Sequence, residues 1–529
     1  GLPGSRPREA VLVSDARVTM SAHDSTARSL RRSLAAAGRS GGRIRHALAA
    51  AGRSAARARA GLPGARRRLT DARRLVGRAI RGDGPGPTDG PVVPAILLLA
   101  VPMVLEMSME SVFAVVDLFW VSRLGEAAVT AVGVTEVFMA VLYTVDAGLS
   151  IGVTAVVARR IGEKDPDGAA EAVVQAALLG LLLSAGLGVA GAVYAPDLLR
   201  LMGAAPEVVA VGTGYTRVLV GFNGVLLFLF LFNAVFRGAG DAAIAMRVLW
   251  LANGLNLLLD PLLIFGWGPL PEMGVTGAAV ATTIGRGTAV AVQLWTLFRV
   301  SDRIRIGTAH LRLRPAVMRR LLRLSGTAAF QTGVATVSWL GLVRAMASFG
   351  TEALAGYTVA IRLLLFGLLP AWGVSNAAAT MVGQSLGAGD EGRAEASAWA
   401  AAWINGLFLS SLGLVFLAAT GWLVAPFDLE GVARTYAVDG LRIMSAGFFF
   451  YAPGMVLTQA FNGAGDPWTP TWLNLAFLWG VMVPAAWLLA HPVGLGVHGA
   501  FAAVPVAHLG VTVSAGLLFR TGRWKGRAV

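Results

Sequence analysis

From Val92 to Arg520 the chain alternates apolar runs of helix length with short punctuation of Gly, Pro or charge. A helix needs about 20 residues to cross the hydrocarbon of a bilayer, and each run is long enough. The pattern predicts spans near 94–122, 129–157, 171–194, 207–236, 244–266, 274–298, 318–348, 353–385, 395–423, 436–461, 469–490 and 494–519. The expected fold is an all-α polytopic membrane protein with twelve transmembrane helices.

Composition agrees: 55% of residues are hydrophobic and 14% charged, and mean hydropathy is +0.65. Charge adds an orientation. The net charge of +15 is concentrated in residues 1–90, which hold nineteen arginines against six acids. That segment is rich in Ala, Gly and Ser and cannot bury a core, so a disordered tail over 1–91 is expected. Nucleic acid or a transit role would also suit so many arginines, but anionic lipid at a cytoplasmic membrane face needs no further assumption and no nucleic-acid partner is expected. Met20 supplies an alternative start within the tail. Arg159, Arg160, Lys164, Arg237, Arg247, the run from Arg299 to Arg323, Arg393 and the end from Arg520 to Arg527 fall on the side of the tail, with Arg123, Arg200 and Arg434 opposite. Positive charge is retained inside, so both termini are placed in the cytoplasm of a bacterium and the spans in its plasma membrane.

"VFRGAGDAAIA" and "AFNGAGDPWTP" place Gly-Ala-Gly-Asp at 238–241 and again at 463–466. The same offset of 225 pairs Gly125 with Gly350, Ala128 with Ala353, Val134 with Val359, Gly148 with Gly373, Gly162 with Gly387 and Asp165 with Asp390. After a three-residue shortening, Gly274-Val275 and Gly277-Ala278 match Gly496-Val497 and Gly499-Ala500. The chain is a duplication. Six spans per copy bring both halves in from one side, related by a pseudo-two-fold axis along the membrane normal, with a cavity between them that rocking would open to either face. The expected organisation is an N-lobe at 92–310, a C-lobe at 311–520 and a short basic tail at 521–529. In this reading the repeated motif is a tight turn whose aspartate caps the next helix.

Chemistry is sparse. There is no cysteine, and His491 and His498 flank a Pro-Gly turn without forming a ligand cluster, so no metal is expected. No Gly-Lys pair exists for a Walker loop. No nucleophile and base are set out for an enzyme. What stands out is acid inside the spans, which costs about 2.5–3.5 kcal/mol per residue on insertion scales and usually marks an ion or substrate path. Glu106, Glu110 and Asp117 fall within roughly 40° on one stripe of the first span. Glu136 and Asp146 lie in the second, and Asn256 and Asp260 stand one turn apart in the fifth, before Pro261. At the 225 offset Asp117 becomes Leu342, Glu110 Ala335, Glu136 Ile361 and Asp146 Ala371. The cation site is therefore expected in the first half. The bland alternative pairs each acid with an arginine, for which Arg286 and Arg362 are available.

These residues carry a family likeness. "VDLFWVSRLGEAAVTAVG" at 116–133, the "FRGAGD" and "FNGAGD" turns, "NLLLDP" at 256–261 and "GVTGAAVAT" at 274–282 resemble the multidrug and toxic compound extrusion (MATE) family, within it the DinF-like branch. The resemblance covers nearly all of 92–520. It implies a two-lobed exporter of small amphipathic, cationic compounds, a monomer without cofactors, exchanging substrate for a cation. Residue by residue it implies a cation site of Asp117, Asn256, Asp260 and Thr282 and a bending proline at Pro102. Missing C-lobe acids favour H+ over Na+ as the coupling ion. Glu106 and Glu110 depart from the branch, and with Glu136, Asp146, Arg286 and Arg362 they are secondary cavity candidates. The alternative reading is a lipid-linked precursor flippase of the same wider superfamily, against which the acidic first lobe argues.

Overall fold

A computed structural model of the protein describes residues 70–83, 86–268 and 270–527. Most of the arginine-rich tail, up to residue 69, lies outside the described residues. The chain divides into Gly1–Arg74 and Leu75–Val529; the second unit holds all that follows.

The first lobe consists of α1 (Val92–Ser122), α2 (Glu126–Gly162), α3 (Pro166–Leu201), α4 (Pro206–Gly221 with Asn223–Gly238), α5 (Ala242–Ile264) and α6 (Val275–Trp295, prolonged by a π turn over Thr296–Val300). The second repeats it: α7 (Pro315–Ala347), α8 (Thr351–Gly387), α9 (Glu391–Val424), α10 (Gly431–Ala446 with Phe448–Gly463), α11 (Trp468–Leu473, a π segment Asn474–Met482 and Val483–Ala490) and α12 (Gly496–Arg520). Among the described residues nine helices are long and apolar enough to cross a membrane, and the two bent pairs bring the number to eleven. The twelfth is α7, whose first turns carry Arg319, Arg320 and Arg323.

The expected spans reappear in order, with one correction. Spans four and ten are each broken, by 41° between Gly221 and Asn223 and by 55° between Ala446 and Phe448. The two breaks, at Phe222 and Gly447, are again 225 residues apart. At the first, the Asn223 amide donates to the carbonyls of Val220 and Ser184, and a side chain bonded into the ladder is a recognised cause of a kink. Apolar run length carries no mark of such a break.

The lobes meet through glycine. A Cβ on Gly148 of α2 would stand 2.5 Å from the Ala329 amide of α7, and one on Gly373 of α8 would stand 2.6 Å from the Val104 amide of α1. Gly148 and Gly373 are 225 residues apart, as are Val104 and Ala329, so one contact is the pseudo-symmetric image of the other. Gly162 likewise faces Gln384 while Gly387 faces Arg159; within each lobe, Gly238 faces Thr154 and Gly463 faces Ala379. Small residues let helix backbones touch within a bilayer. These contacts all lie in the half of the molecule nearest the two Gly-Ala-Gly-Asp turns, here called the basal half. In the other half Gly133 meets nothing, and Gly356 and Gly367 meet only their own lobe. Across the basal seam Thr380 Oγ1 donates to the Arg237 carbonyl at 3.1 Å and Gln384 Nε2 to the Gly238 carbonyl at 2.7 Å.

The expected helix caps are displaced. Asp241 makes no side-chain cap bond, and Asp466 accepts from the Thr469 hydroxyl at 2.7 Å. The capping pair is Asp165 and Asp390, which accept from the Gly168 and Arg393 amides, each at 2.8 Å.

Candidate functional site

The acid stripe of α1 faces the interior of its own lobe, against α4, α5 and α6, and its three members meet different partners. Nearest the basal side, Glu106 is fully buried. Its Oε1 accepts from Arg237 Nη1 at 2.6 Å and from Asn233 Nδ2 at 3.1 Å. Gln293 Nε2 in turn donates to Asn233 Oδ1 at 2.7 Å. Asn233 and Arg237 are one turn apart on α4, so both reach a single carboxylate. Arg237, which charge counting assigns to a loop, is 7% exposed in the last turn of that helix.

One turn further along α1, Glu110 accepts from Asn253 Nδ2 of α5 at 3.3 Å and from Arg286 Nη2 of α6 at 3.4 Å. The Arg286 guanidinium, 6% exposed, also lies 5.4 Å above the Phe113 ring. The Tyr143 hydroxyl also interacts with it electrostatically. Asp117, Glu136 and Asp146 act on it through space. Four of the expected candidates, Glu110, Asp117, Glu136 and Asp146, therefore gather around Arg286. Glu136 is exposed, whereas Asp146 is 5% exposed and its Oδ2 is buried without a partner.

At the far end of the stripe, Asn256 Nδ2 donates both to Asp260 Oδ1 at 3.2 Å and to Thr282 Oγ1 at 3.0 Å. Asp260 is fully buried and Asp117 acts on it electrostatically. Its Oδ2 and Asn256 Oδ1 are buried acceptors without partners. The helical spacing of Asn256 and Asp260 on α5 and the facing Thr282 on α6 create this group. Chemically it offers unused oxygens beside two carboxylates, which suits a small cation or a proton.

The sequence profile of the MatE family matches residues 102–262 and again 329–488, once in each lobe. The chain belongs to the MatE family. This MatE protein is thus a multi-pass membrane transporter and not an enzyme. It is similar to the probable multidrug resistance protein NorM of Thermotoga maritima, 25% identical over 82% of this chain and 93% of that protein. It is also similar to the FAD transporter of Shewanella oneidensis, 25% identical over 81% of this chain and 94% of that one. Among solved structures, it aligns with the outward-facing conformation of a multidrug resistance MATE family transporter of the MOP superfamily. There the TM-score is 0.77 and the identity 25%, over 82% of this chain and 96% of that one.

Two expected positions of the MatE chain stand apart from the cluster. Arg362 is exposed on α8, and Pro102 sits within an unbroken α1, where its missing N–H leaves the Leu98 carbonyl without the usual helical partner. Asn233, Arg237, Tyr143 and Asn253 were not singled out from the sequence. A signal existed for three of them: Asn233–Arg237 and Asn253–Asn256–Asp260 are polar ladders at three- and four-residue spacing inside apolar helices.

Proposed function

We propose that this MatE transporter is a multidrug exporter of the DinF-like kind that exchanges small amphipathic cations for protons. Asp117, Asn256, Asp260 and Thr282 form the coupling site in this reading. The observation that carries it is Asp260, wholly enclosed in the N-lobe with one carboxylate oxygen unpartnered and Asp117 acting on it. Two carboxylates facing one another in a dry chamber repel, and a shared cation relieves both desolvation and repulsion. Proton uptake there frees the substrate on one side, and release on the other resets the chamber. Confinement of the interlobe glycine contacts to the basal half supports alternating access, with the basal side taken as cytoplasmic and closed. Pro102 is the point at which α1 bends, since the unpaired Leu98 carbonyl weakens the ladder there.

The test is dye efflux from vesicles under separately imposed proton and sodium gradients, for wild type, Asp117→Asn and Asp260→Asn. Efflux follows the proton gradient, and each substitution lowers it at least about a hundredfold, within the range of a lost charge in a dry site. Intact efflux in both variants would show that the site lies elsewhere, and efflux driven by sodium alone would overturn the proton assignment.

A further inference from the structure

Around Arg286 donors and acceptors are left over on both sides. Its Nε is buried without a partner, and so are Asp146 Oδ2 and Asp260 Oδ2. Its contact with Glu110, at 3.4 Å, is longer than the roughly 2.7–2.9 Å usual between charged groups. Buried polar groups are nearly always satisfied, so a chamber with an idle donor and idle acceptors is built to rearrange. The Arg237–Glu106 pair of this lobe also leaves one carboxylate oxygen, Oε2, without a partner, but its contact is short, 2.6 Å, Asn233 shares the bonded oxygen, and Arg237 leaves no buried donor idle.

We propose that Arg286 is a tethered counter-cation that sets the charge of the compounds the N-lobe accepts, holding one carboxylate at a time and yielding it to the incoming cation. The inference rests on the export reading above. The titratable groups facing Arg286 are Glu110 and Asp117 of α1 and Glu136, Tyr143 and Asp146 of α2, with Asp260 of α5 acting on Asp117. With the guanidinium in place, one negative charge is always compensated and a singly charged compound suffices. A doubly charged compound must sit beside a like charge in a medium where that repulsion is strong. Without the guanidinium, one more carboxylate needs a positive charge, either a second one on the substrate or an additional proton.

Efflux of tetraphenylphosphonium (one charge) and methyl viologen (two charges) from proteoliposomes under a proton gradient tests this in wild type, Arg286→Gln and Arg286→Lys. In Arg286→Gln the dication-to-monocation ratio rises on the order of tenfold, since one like-charge juxtaposition is removed. Its pH profile for the monocation also moves to higher pH. Arg286→Lys keeps the wild-type ratio. A folded Arg286→Gln with the wild-type ratio and profile overturns the inference, as does Arg286→Lys behaving like Arg286→Gln, because then the charge is not what matters. Should Arg286→Gln fail to fold, Glu110→Gln decides: it removes a carboxylate and lowers the ratio, and a raised ratio sinks the idea. Wild-type protein that moves neither compound under any gradient fails the export reading itself, a separate result.

Discussion

The two lobes share their backbone contacts and not their interiors. Gly148 and Gly162 at the seam of one lobe have images in Gly373 and Gly387 of the other, down to the residue whose backbone each touches, whereas Gly152 and Gly383 answer to Ala377 and Ala158. Within the bundles the likeness ends. Leu342 and Ala371, which stand where Asp117 and Asp146 stand, belong to a large apolar cluster of the C-lobe, with Ala335 and Ile361 packed on it at the places of Glu110 and Glu136. The counterpart of Arg286, allowing for the three-residue shortening, is His508, 8% exposed. Its Nδ1 donates to the Val504 carbonyl at 2.8 Å and its ring lies 4.1 Å from that of Tyr451. Glu106 and Arg237 correspond to Gln331 and Asn462, neutral amides of which the first matches its counterpart in size and the second is much smaller. At Gly148, Gly162, Gly373 and Gly387 the seam runs against backbone atoms that leave no room for a side chain. Among the described residues, the acid and arginine cluster inside the helix bundle lies in the N-lobe, and the matching C-lobe positions are apolar or neutral.

The sharpest way to break this comparison is to treat the lobes alike at the Glu106–Arg237 pair. Arg237→Met leaves Glu106 enclosed without a counter-charge, which costs about 3–5 kcal/mol. The double variant Glu106→Gln with Arg237→Asn gives the N-lobe the polar residues of the C-lobe and recovers most of that loss, since no charge is then stranded. Thermal unfolding in detergent measures both. A single variant as stable as wild type would mean that water reaches the pair and that the lobes do not differ at this point. A double variant no better than the single would mean that the network tolerates charge only.

The seam gives the next effect. Gly148→Ala and Gly373→Ala each press a methyl against backbone atoms of the opposite lobe, and overpacking of this kind costs about 1–3 kcal/mol. Because the two contacts are images, the two losses should agree within roughly 0.5 kcal/mol, while Gly133→Ala, with nothing near it, should be silent. Unequal losses at Gly148 and Gly373 would show that the symmetry is only approximate in energy.

Most of the fold was legible because membrane spans announce themselves by length and hydropathy, and because the 225-residue offset exposes the duplication. The offset also located the lobe carrying the charge. The breaks in α4 and α10 were not legible, since apolar run length does not register a side chain entering the backbone ladder. Of the site, Asn256 and Asp260 were legible as a polar pair one turn apart in an apolar span and Thr282 through the resemblance, and the structure joins them by hydrogen bonds. Partner choice was beyond the sequence. Arg237 reads as a loop charge because it precedes a Gly-rich turn, and only the packing of α4 against α1 turns it onto Glu106. Arg286 was weighed equally with Arg362, and only the packing puts one in the acid cluster and leaves the other exposed.

The smallest effect lies in the repeated turns, where the comparison can be read from a change of sign. Asp241 and Asp466 occupy the same place in the two copies. Burial pushes the Asp241 carboxyl above its ordinary range, with Arg303 and Arg247 opposing that rise. A carboxyl raised by folding contributes stability below its ordinary range and loses it as pH rises through the folded value. Asp241→Asn should therefore match wild type near pH 4 and be equally or slightly more stable near pH 7.5. Asp466 instead accepts the Thr469 hydroxyl at 2.7 Å, with Arg527 3.5 Å away. Asp466→Asn weakens a charge-assisted bond and should cost about 1 kcal/mol at neutral pH. Unfolding midpoints of the two variants at both pH values give the answer. Two changes of the same sign at pH 7.5 would show that the turns, unlike the lobe interiors, remained equivalent in energy as well as in sequence.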